Sequence, residues 1–455
     1  MKTPICDFAL CYAESSALRL HMPGHKGHSF LGMEALDITE IDGADSLYEA
    51  DGIIRESEDN ASVLFGCPTF YSTEGSSQCI RAMLHLTALH ARQTGKRPLI
   101  AAGRNVHKAF LSAAALLDLD VLWLFPQEGE SYLTCRPDAD FLDAFLAEHK
   151  PTAVYLTSPD YLGHLADLDA IGRVCRAHGV LLLVDNAHGA YLRFLPESLH
   201  PIDLGAHICC DSAHKTLPVL TGGAYLHIAK DAPPLFSRQI KNALALFGST
   251  SPSYLILQSL DYANRYIADG YKQRLAAFLP LVHRLKGALS CRGYPLVGDE
   301  PLKLTLSPKS FGYTGNDLAR LLAAEDLICE FSDPDFLVFM LTPEIGTEGL
   351  CRLEDALLSV PQKAALTETP PPFCPPQRIM SIREATLSPC RTVCAAESLG
   401  QILAAPSVGC PPAVPITVCG ERIDKAALRC FSYYGFKTCT VVESCEKAAP
   451  DGLTQ

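Results

Sequence analysis

The 455 residues allow two to four domains, and a composition with 48% apolar and 20% charged residues is typical of a folded globular protein. With 38 Lys and Arg against 51 Asp and Glu, the formal charge is −13, and no basic run stands out, which argues against nucleic-acid binding. The 19 cysteines are scattered and odd in number. They favour reduced thiols over a disulfide framework, and their spacing predicts no metal site.

The first segment, residues 1–20, is predicted to form an N-terminal arm. Asp7, Glu14 and the pair Ser15–Ser16 interrupt every apolar run there, so neither a signal peptide nor a membrane-spanning helix is predicted. We therefore expect a cytoplasmic protein that has no membrane partner.

Short apolar runs alternate with helical patterns between about residues 60 and 230, which is typical of βαβ units and a mostly parallel sheet. The sequence therefore predicts an α/β fold with a large domain over residues 21–285. An amphipathic helix is predicted over Ser77–Ala91. The predicted strands are Pro98–Ala101, Val121–Phe125, Ala153–Thr157, Val180–Val184, Ile208–Cys210 and Gly223–Ile228.

Further along the chain, the stretch from Leu255 to Leu289 predicts one long helix that leads out of the sheet domain. A small α+β domain is predicted over residues 286–366, followed by a proline-dense linker over 367–376 and a C-terminal α+β domain over 377–455. The elements predicted in the last two domains are strands at Leu302–Leu306, Leu327–Phe331, Phe336–Leu341 and Thr438–Val442, and helices at Asn316–Glu325 and Thr347–Leu358.

The densest chemical signal is the sequence DSAHKT at residues 211–216, which follows a predicted strand and contains Lys215. Asp185 follows the predicted strand Val180–Val184. Ligands of open α/β sheets bind at the carboxyl ends of parallel strands, so one site can hold both side chains. Pyridoxal 5′-phosphate (PLP) needs an amine for a Schiff base and a carboxylate at its ring nitrogen. Lys215 and Asp185 are the candidates for these two roles.

The PLP phosphate also needs hydrogen-bond donors. Free backbone N–H groups at the start of a helix favour an anion, and Gly75, Ser76 and Ser77 open the predicted helix Ser77–Ala91. Ser212 and His214 are further donors close to the lysine. An ordinary serine N-cap is the alternative interpretation of the segment at residue 76.

These segments, together with HMPGHKG at residues 21–27 and RNVHK at residues 104–108, resemble the ornithine/lysine/arginine decarboxylase family of PLP enzymes. The resemblance covers most of the chain, including STSPSY at residues 249–254 and CPPAVP at residues 410–415. It implies a PLP-dependent transferase-like (fold-type I) architecture, in the short form of the family that lacks an N-terminal wing domain.

Carried over residue by residue, the resemblance implies that Lys215 forms the Schiff base and Asp185 pairs with the pyridine nitrogen. His107 stacks on the cofactor ring in this prediction, with Ala187 on the other face and His188 beside the ring. Lys215, His107 and His188 are the predicted catalytic residues. The residues predicted around the phosphate are Gly75, Ser76, Ser77, Ser212 and His214, with Ser249 reaching the phosphate of a neighbouring subunit in a homodimer or higher oligomer.

The implied activity is decarboxylation of arginine, lysine or ornithine to the corresponding amine and CO2, in polyamine biosynthesis. Departures from the family pattern at Glu74, Leu47–Gly52 and Cys410–Pro415 leave the substrate open. Glu74, Asp160 and Glu384 are candidate partners for the cation at the far end of the substrate. The alternatives are another fold-type I activity, as an aminotransferase or carbon–sulfur lyase, or a non-catalytic binding protein of the same fold.

Overall fold

A computed structural model of the chain describes residues 1–406 and 412–443. Within these residues the strands are β1 (Thr69–Ser72), β2 (Leu99–Gly103), β3 (Asp120–Leu124), β4 (Ala153–Thr157), β5 (Leu181–Asp185), β6 (Ile208–Asp211), β7 (Ala224–Ile228), β8 (Leu296–Val297), β9 (Lys303–Leu306), β10 (Phe331–Ser332), β11 (Leu337–Met340), β12 (Cys390–Cys394), β13 (Leu403–Ala405) and β14 (Thr438–Val442). The helices are α1 (Pro4–Glu14), α2 (Ile53–Phe65), α3 (Gly75–Gln93), α4 (Lys108–Leu117), α5 (Ala139–His149), α6 (Leu168–Ala177), α7 (Ala213–Thr216), α8 (Pro234–Ala245), α9 (Tyr254–Ala268), α10 (Tyr271–Arg292), α11 (Gly315–Ala323), α12 (Gly346–Ser359), α13 (Ile382–Leu387) and α14 (Lys425–Tyr433).

The largest sheet has seven strands in the order β1-β7-β6-β5-β4-β2-β3. Strands β2 to β6 run parallel, and β7 runs antiparallel to both of its neighbours, β1 and β6. Side chains alternate between two apolar cores: Leu183 packs in one and Leu182 and Val184 pack in the other. Strands buried on both faces read as continuous apolar runs, which is why the sequence predicted them correctly.

The predicted α/β fold with a mostly parallel sheet is confirmed, and six of the seven strands were predicted to within two residues. The sequence missed β1, which has four residues and lies at an edge of the sheet. Its sequence, TFYS, carries polar residues at both ends and so gives no apolar run. The buried β1 forms this edge of the sheet beside β7, and α3 begins three residues after it.

The prediction of one long helix from Leu255 to Leu289 was wrong. The structure has two helices there, α9 and α10, with Asp269 and Gly270 between them. Gly270 has a φ of +91°, a left-handed conformation that interrupts a helix and that glycine adopts at little cost. Helix α10 continues to Arg292, through residue 285 where the sequence placed a domain boundary. The division into domains stays a prediction.

A second, antiparallel sheet follows α10, with the strand order β10-β11-β9-β8. The predicted strand Leu327–Phe331 was wrong in extent, since β10 covers only Phe331–Ser332. The Leu327 amide instead donates to the Leu322 carbonyl in the turn that ends α11, and Asp326 adopts a positive φ of 58°. This turn leaves Glu330 directly before β10, where its carboxylate accepts from the Tyr161 hydroxyl at 2.8 Å.

The C-terminal part forms a third antiparallel sheet in the order β12-β14-β13. It is joined to the large sheet domain by the buried Arg104, whose guanidinium pairs with Glu421 at 2.9 Å. The same guanidinium donates to the carbonyls of Pro415 and Ile416, each at 3.0 Å. The Ala413 carbonyl accepts from the Lys108 amide at 3.0 Å, and these bonds hold the segment 412–414 beside the start of α4.

The predicted N-terminal arm contains α1, whose buried residues Ile5 and Ala9 pack in the apolar core shared with α2 and α9. Asp261 of α9 accepts from the amides of Ile5 and Cys6 at 2.9 and 3.0 Å. Across the described ranges, no helix combines the length and apolar character that a membrane crossing requires. The cysteines of these ranges are free thiols.

Candidate active site

A cleft of about 320 Å³ opens beyond the carboxyl ends of β4, β5 and β6. It is bounded by the start of α3, by the second sheet and by the segment 412–414. Every predicted catalytic or cofactor-binding residue except Ser249 lines this cleft. The structure therefore brings together predicted residues that lie up to 140 positions apart in the sequence, from Gly75 to Lys215.

The carboxylate of Asp185 lies at the end of β5 and is 2% exposed. Its oxygens accept from the Tyr155 hydroxyl at 3.3 Å and the Ala187 amide at 3.2 Å, and the Cys210 thiol lies 3.8 Å away. Burial raises the pKa of Asp185, and the nearby ammonium of Lys215 acts in the opposite direction. A cationic group in the cleft is the partner that keeps this buried carboxylate ionised.

The amine of Lys215 lies on the short helix α7, directly after β6. Its Nζ is 2.8 Å from Nε2 of His188, and Nδ1 of the same imidazole is 2.9 Å from Nζ of Lys303. Lys303 belongs to β9 and is 3% exposed, with its ammonium 3.1 Å from the Asp160 carbonyl. One histidine therefore lies between two lysines, one from each sheet.

This arrangement restricts the protons that the three groups can hold. A neutral imidazole carries one N–H, so it can accept from one ammonium only and must donate to the other amine. Burial and the two lysine charges hold the pKa of His188 well below its ordinary value, which keeps the ring neutral. Burial lowers the pKa of Lys303 to about 8, while the nearby carboxylates of Glu300 and Asp160 favour its charged form. One of the two lysine amines therefore accepts the ring hydrogen of His188, and the other donates to the ring.

His107 lies at the N-cap of α4, where its Nδ1 accepts from the Ala109 amide at 3.2 Å. Burial and the neighbouring charge of Lys215 lower the pKa of His107 to about 4. The imidazole is therefore neutral at physiological pH. A neutral aromatic ring with a fixed orientation is suited to packing against another flat ring.

The start of α3 forms the other end of the cleft. Gly75 has a φ of +69°, and no atom lies within 4 Å of the position that a Cβ would occupy there. Ser76 Oγ accepts from Ser212 Oγ at 2.9 Å, which joins α3 to the segment that carries the lysine. His214 Nδ1 lies 2.9 Å from the Gly223 carbonyl, to which it donates. First-turn amides and serine hydroxyls beside open space make this end suitable for an anion.

Several cleft residues were missed by the sequence analysis. Glu330 and Tyr161 line the cleft, and the Tyr161 hydroxyl donates to Glu330 Oε1 at 2.8 Å. Thr157 also lines it, and its hydroxyl is buried without a hydrogen-bond partner in the described part of the chain. Lys303, which contacts His188, was also missed. The sequence does mark this residue, because it is a lysine inside the apolar strand sequence LKLTL.

The candidate substrate carboxylates lie elsewhere. Glu74 accepts from the Ser249 amide at 2.6 Å, and Glu384 caps α13 through Ser381. The Asp160 carboxylate is buried and accepts from the amides of Leu162 and His164, both at 2.9 Å. These three carboxylates are therefore engaged in local structure outside the cleft lining.

Two further predictions concern loops. Ser249 is exposed and lies outside the cleft of its own chain. In the segment Leu47–Gly52, the Tyr48 hydroxyl accepts from the Gln78 side chain at 2.8 Å. Of the predicted motif Cys410–Pro415, residues 410 and 411 lie outside the described residues, whereas residues 412–414 line the cleft.

Known proteins resemble this chain over most of its length. A family model described as Orn/Lys/Arg decarboxylase, major domain, matches residues 3–279. The arginine decarboxylase of Bacillus subtilis (strain 168) is 28% identical over 457 residues, covering 93% of this chain and 91% of that protein. The arginine decarboxylase of Halalkalibacterium halodurans is 26% identical over 477 residues, covering 94% and 92%.

Among solved structures, the lysine decarboxylase LdcF of Francisella novicida superposes with a TM-score of 0.76. The superposition covers 97% of this chain and 81% of that chain at 16% sequence identity, which shows a shared fold. The family model matches more than half of the chain, and the predicted family, fold class and enzyme class are confirmed. The chain therefore belongs to the Orn/Lys/Arg decarboxylase family, the enzymes that remove CO2 from a basic amino acid.

Proposed function

We propose that the cleft binds PLP and that the chain uses it to decarboxylate arginine. The observation that carries this proposal is the presence of Lys215 and Asp185 in one cleft, at the ends of neighbouring parallel strands. An amine and a buried carboxylate at this place in a parallel sheet match the two groups that PLP requires from a protein.

The residues of the cleft fit the cofactor at each of its functional groups. Asp185 would hold the pyridine nitrogen, Lys215 the aldehyde, and His107 one face of the ring. The start of α3, with the open space at Gly75, would hold the phosphate. The unpartnered hydroxyl of Thr157 is a donor directed at the same cleft. A buried polar group without a protein partner is costly unless a ligand satisfies it.

Each side chain contributes a distinct property to the reaction. When bound, PLP supplies an electron sink for the bond between the α-carbon and the carboxylate. Asp185 keeps a proton at the ring nitrogen because a buried carboxylate is stabilised by a cation. His188 exchanges one proton between Lys215 and Lys303, so the amine of Lys215 is uncharged when it must act as a nucleophile. His107 and Ala187 fix the plane in which the substrate lies.

The substrate preference follows from Glu330. Among the described residues it is the one carboxylate besides Asp185 that lines the cleft. The hydroxyl of Tyr161 fixes the orientation of its carboxylate through a bond of 2.8 Å. An oriented carboxylate suits the two parallel N–H donors of a guanidinium better than a single ammonium. The similarity to relatives named arginine decarboxylase, which match more than nine-tenths of this chain, also supports arginine over lysine and ornithine as the substrate.

The active site is proposed to be shared between two subunits. Ser249 is exposed, and its amide is held by Glu74 next to the start of α3. Its position outside its own cleft is consistent with contact to the phosphate of a neighbouring subunit in a homodimer. A cytoplasmic location and a role in polyamine biosynthesis stay predictions.

The activity is tested by incubating the purified protein with PLP and an equimolar mixture of arginine, lysine and ornithine. We expect CO2 and the amine of arginine to exceed the other two amines, and the Lys215→Ala variant to form none. A keto acid product contradicts the proposal in favour of an aminotransferase. Lack of product from all three amino acids supports the alternative of a non-catalytic binding protein.

A further inference from the structure

A cluster of four buried donor side chains lies behind the cleft. Cys209 and Asp211 are two residues apart on β6 and therefore point to the same face of the sheet. His227 of β7 lies opposite Cys209 in the strand register, and His200 reaches the cluster from the segment before β6. None of the four has exposed surface.

The donor atoms of three of these residues lie close together, and His227 contacts one of them. Nε2 of His200 and Nε2 of His227 lie 3.2 and 3.1 Å from Oδ2 of Asp211. Sγ of Cys209 lies 3.9 Å from Nε2 of His200, and the ligand atoms of His200, Cys209 and Asp211 are all within 4.8 Å of one another. Bonds from zinc to N, O and S ligands place the corners of a tetrahedron about 3.3 to 3.7 Å apart, close to the three pair distances of 3.1, 3.2 and 3.9 Å.

The hydrogen bonds around His227 indicate which of its nitrogens is free to bind a cation. The hydroxyl of Thr69 donates to the Cys67 carbonyl at 3.0 Å, so it accepts from His227 Nδ1 at 2.9 Å. Nδ1 therefore carries the ring hydrogen, and Nε2 directs a lone pair toward the carboxylate of Asp211. Two lone pairs at 3.1 Å repel each other unless a cation lies between them.

A proton can join only two of these donors, whereas a metal ion can join all four. For three of the four residues, the surroundings also resemble the outer contacts that support metal ligands, in which a ligand has a further hydrogen-bond partner; Nδ1 of His200 has no such partner among the described residues. Asn186 donates to the other oxygen of Asp211 at 2.6 Å, and the Ile202 amide lies in hydrogen-bonding position to the sulfur of Cys209. The Thr69 hydroxyl is the corresponding hydrogen-bond partner of His227.

We propose that His200, Cys209, Asp211 and His227 bind one zinc ion. The donor set of two imidazoles, one thiolate and one carboxylate is of the kind that zinc prefers, and four protein ligands define a structural site. Binding displaces the thiol proton of Cys209 to solvent, and the thiolate and carboxylate then neutralise the two positive charges of the ion. The sequence predicted no metal site because these ligands come from separate segments without the usual close pairs.

The consequence of this site is structural. Asp211 ends β6, and Lys215 follows four residues later on α7. Through Asn186, the same carboxylate also contacts the segment that directly follows Asp185. A zinc ion at this point fixes the ends of β5 and β6 relative to each other, and with them the two groups that the cleft brings together.

The test is metal analysis of the holoenzyme, produced without a polyhistidine tag in zinc-supplemented medium and dialysed against EDTA. We expect about one zinc ion per chain in the unaltered protein. The Cys209→Ala and Asp211→Asn variants are expected to hold roughly tenfold less zinc. The control is Cys175→Ala, which removes an equally buried cysteine of the same apolar core and is expected to retain the zinc.

A folded, unaltered holoenzyme that holds no zinc overturns the proposal, and so does a Cys209→Ala variant with the full zinc content. Because a variant in this core can fail to fold, the zinc X-ray absorption of the unaltered protein supplies an independent measurement. One sulfur ligand with nitrogen and oxygen ligands supports the site, and a spectrum without sulfur contradicts it.

Discussion

Replacing Lys303 by methionine tests how the cleft keeps the amine of Lys215 reactive. Lys303 lies on β9, outside the large sheet, and the imidazole of His188 links it to Lys215. Methionine has nearly the same length and keeps the apolar stem packed, but it removes the charge. We expect the variant to hold a proton on Lys215 at higher pH than the unaltered protein does.

The size of the effect follows from the separation of the two charges. Hydrogen bonds of 2.8 and 2.9 Å join the two ammonium nitrogens to opposite sides of one imidazole, so they lie roughly 7 Å apart. At an effective dielectric constant of about 20, the repulsion between them is about 2 kcal/mol. Since about 1.4 kcal/mol corresponds to one pH unit, loss of Lys303 raises the pH midpoint of Lys215 deprotonation by between about one and two units.

The assay is trace acylation of the cofactor-free protein over a pH series, with peptide mass spectrometry to quantify the modified Lys215. The control is Lys286→Met, because Lys286 donates to the carbonyls of Glu300 and Pro301 and has no contact with His188. An unchanged midpoint in Lys303→Met refutes the proton exchange through His188. An equal shift in both variants also refutes it, because the effect is then not specific to Lys303.

Three further substitutions test other parts of the account. Glu330→Gln keeps an acceptor for Tyr161 but removes the charge, so steady-state kinetics are expected to show a KM for arginine about tenfold to a hundredfold higher. An unchanged KM contradicts the role of Glu330 in binding the guanidinium. Arg104→Leu leaves the Glu421 carboxylate buried and unpaired, which is expected to cost about 3–5 kcal/mol in thermal unfolding and to be partly reversed by adding Glu421→Leu. Burial raises the pKa of Asp333 to about 7. Between about pH 4 and 7 the folded chain therefore holds a proton that the unfolded chain has released, so the free energy of unfolding falls as the pH rises. Asp333→Asn is expected to remove this loss of up to about 4 kcal/mol in denaturant titrations, and a pH dependence equal to that of the unaltered protein contradicts the assignment.

The sheet and the main residues of the cleft were predictable from the sequence because they depend on local patterns. Strands covered on both faces give apolar runs, and the residue after each run, such as Asp185, marks the carboxyl edge. The lysine sequence at residues 211–216 follows such a run in the same way. The order of strands then brings these ends together without any further signal from the sequence.

The remaining features depend on tertiary structure. Glu330 lines the cleft and Lys303 contacts His188 from the part of the chain that forms the second sheet, and no local pattern indicates that this sheet lies against the first. The break between α9 and α10 depends on two residues inside a continuous apolar stripe. The cluster around Asp211 joins positions 200 to 227 through strand pairing, so its donors share no sequence motif.

The central claim is that Lys215 binds PLP. Borohydride reduction of the PLP-loaded protein makes the attachment permanent, and peptide mass mapping then locates it. We expect a pyridoxyl phosphate group on Lys215 and no visible lysine-bound absorbance in Lys215→Ala. Attachment of the cofactor to any other lysine, including Lys303, contradicts it.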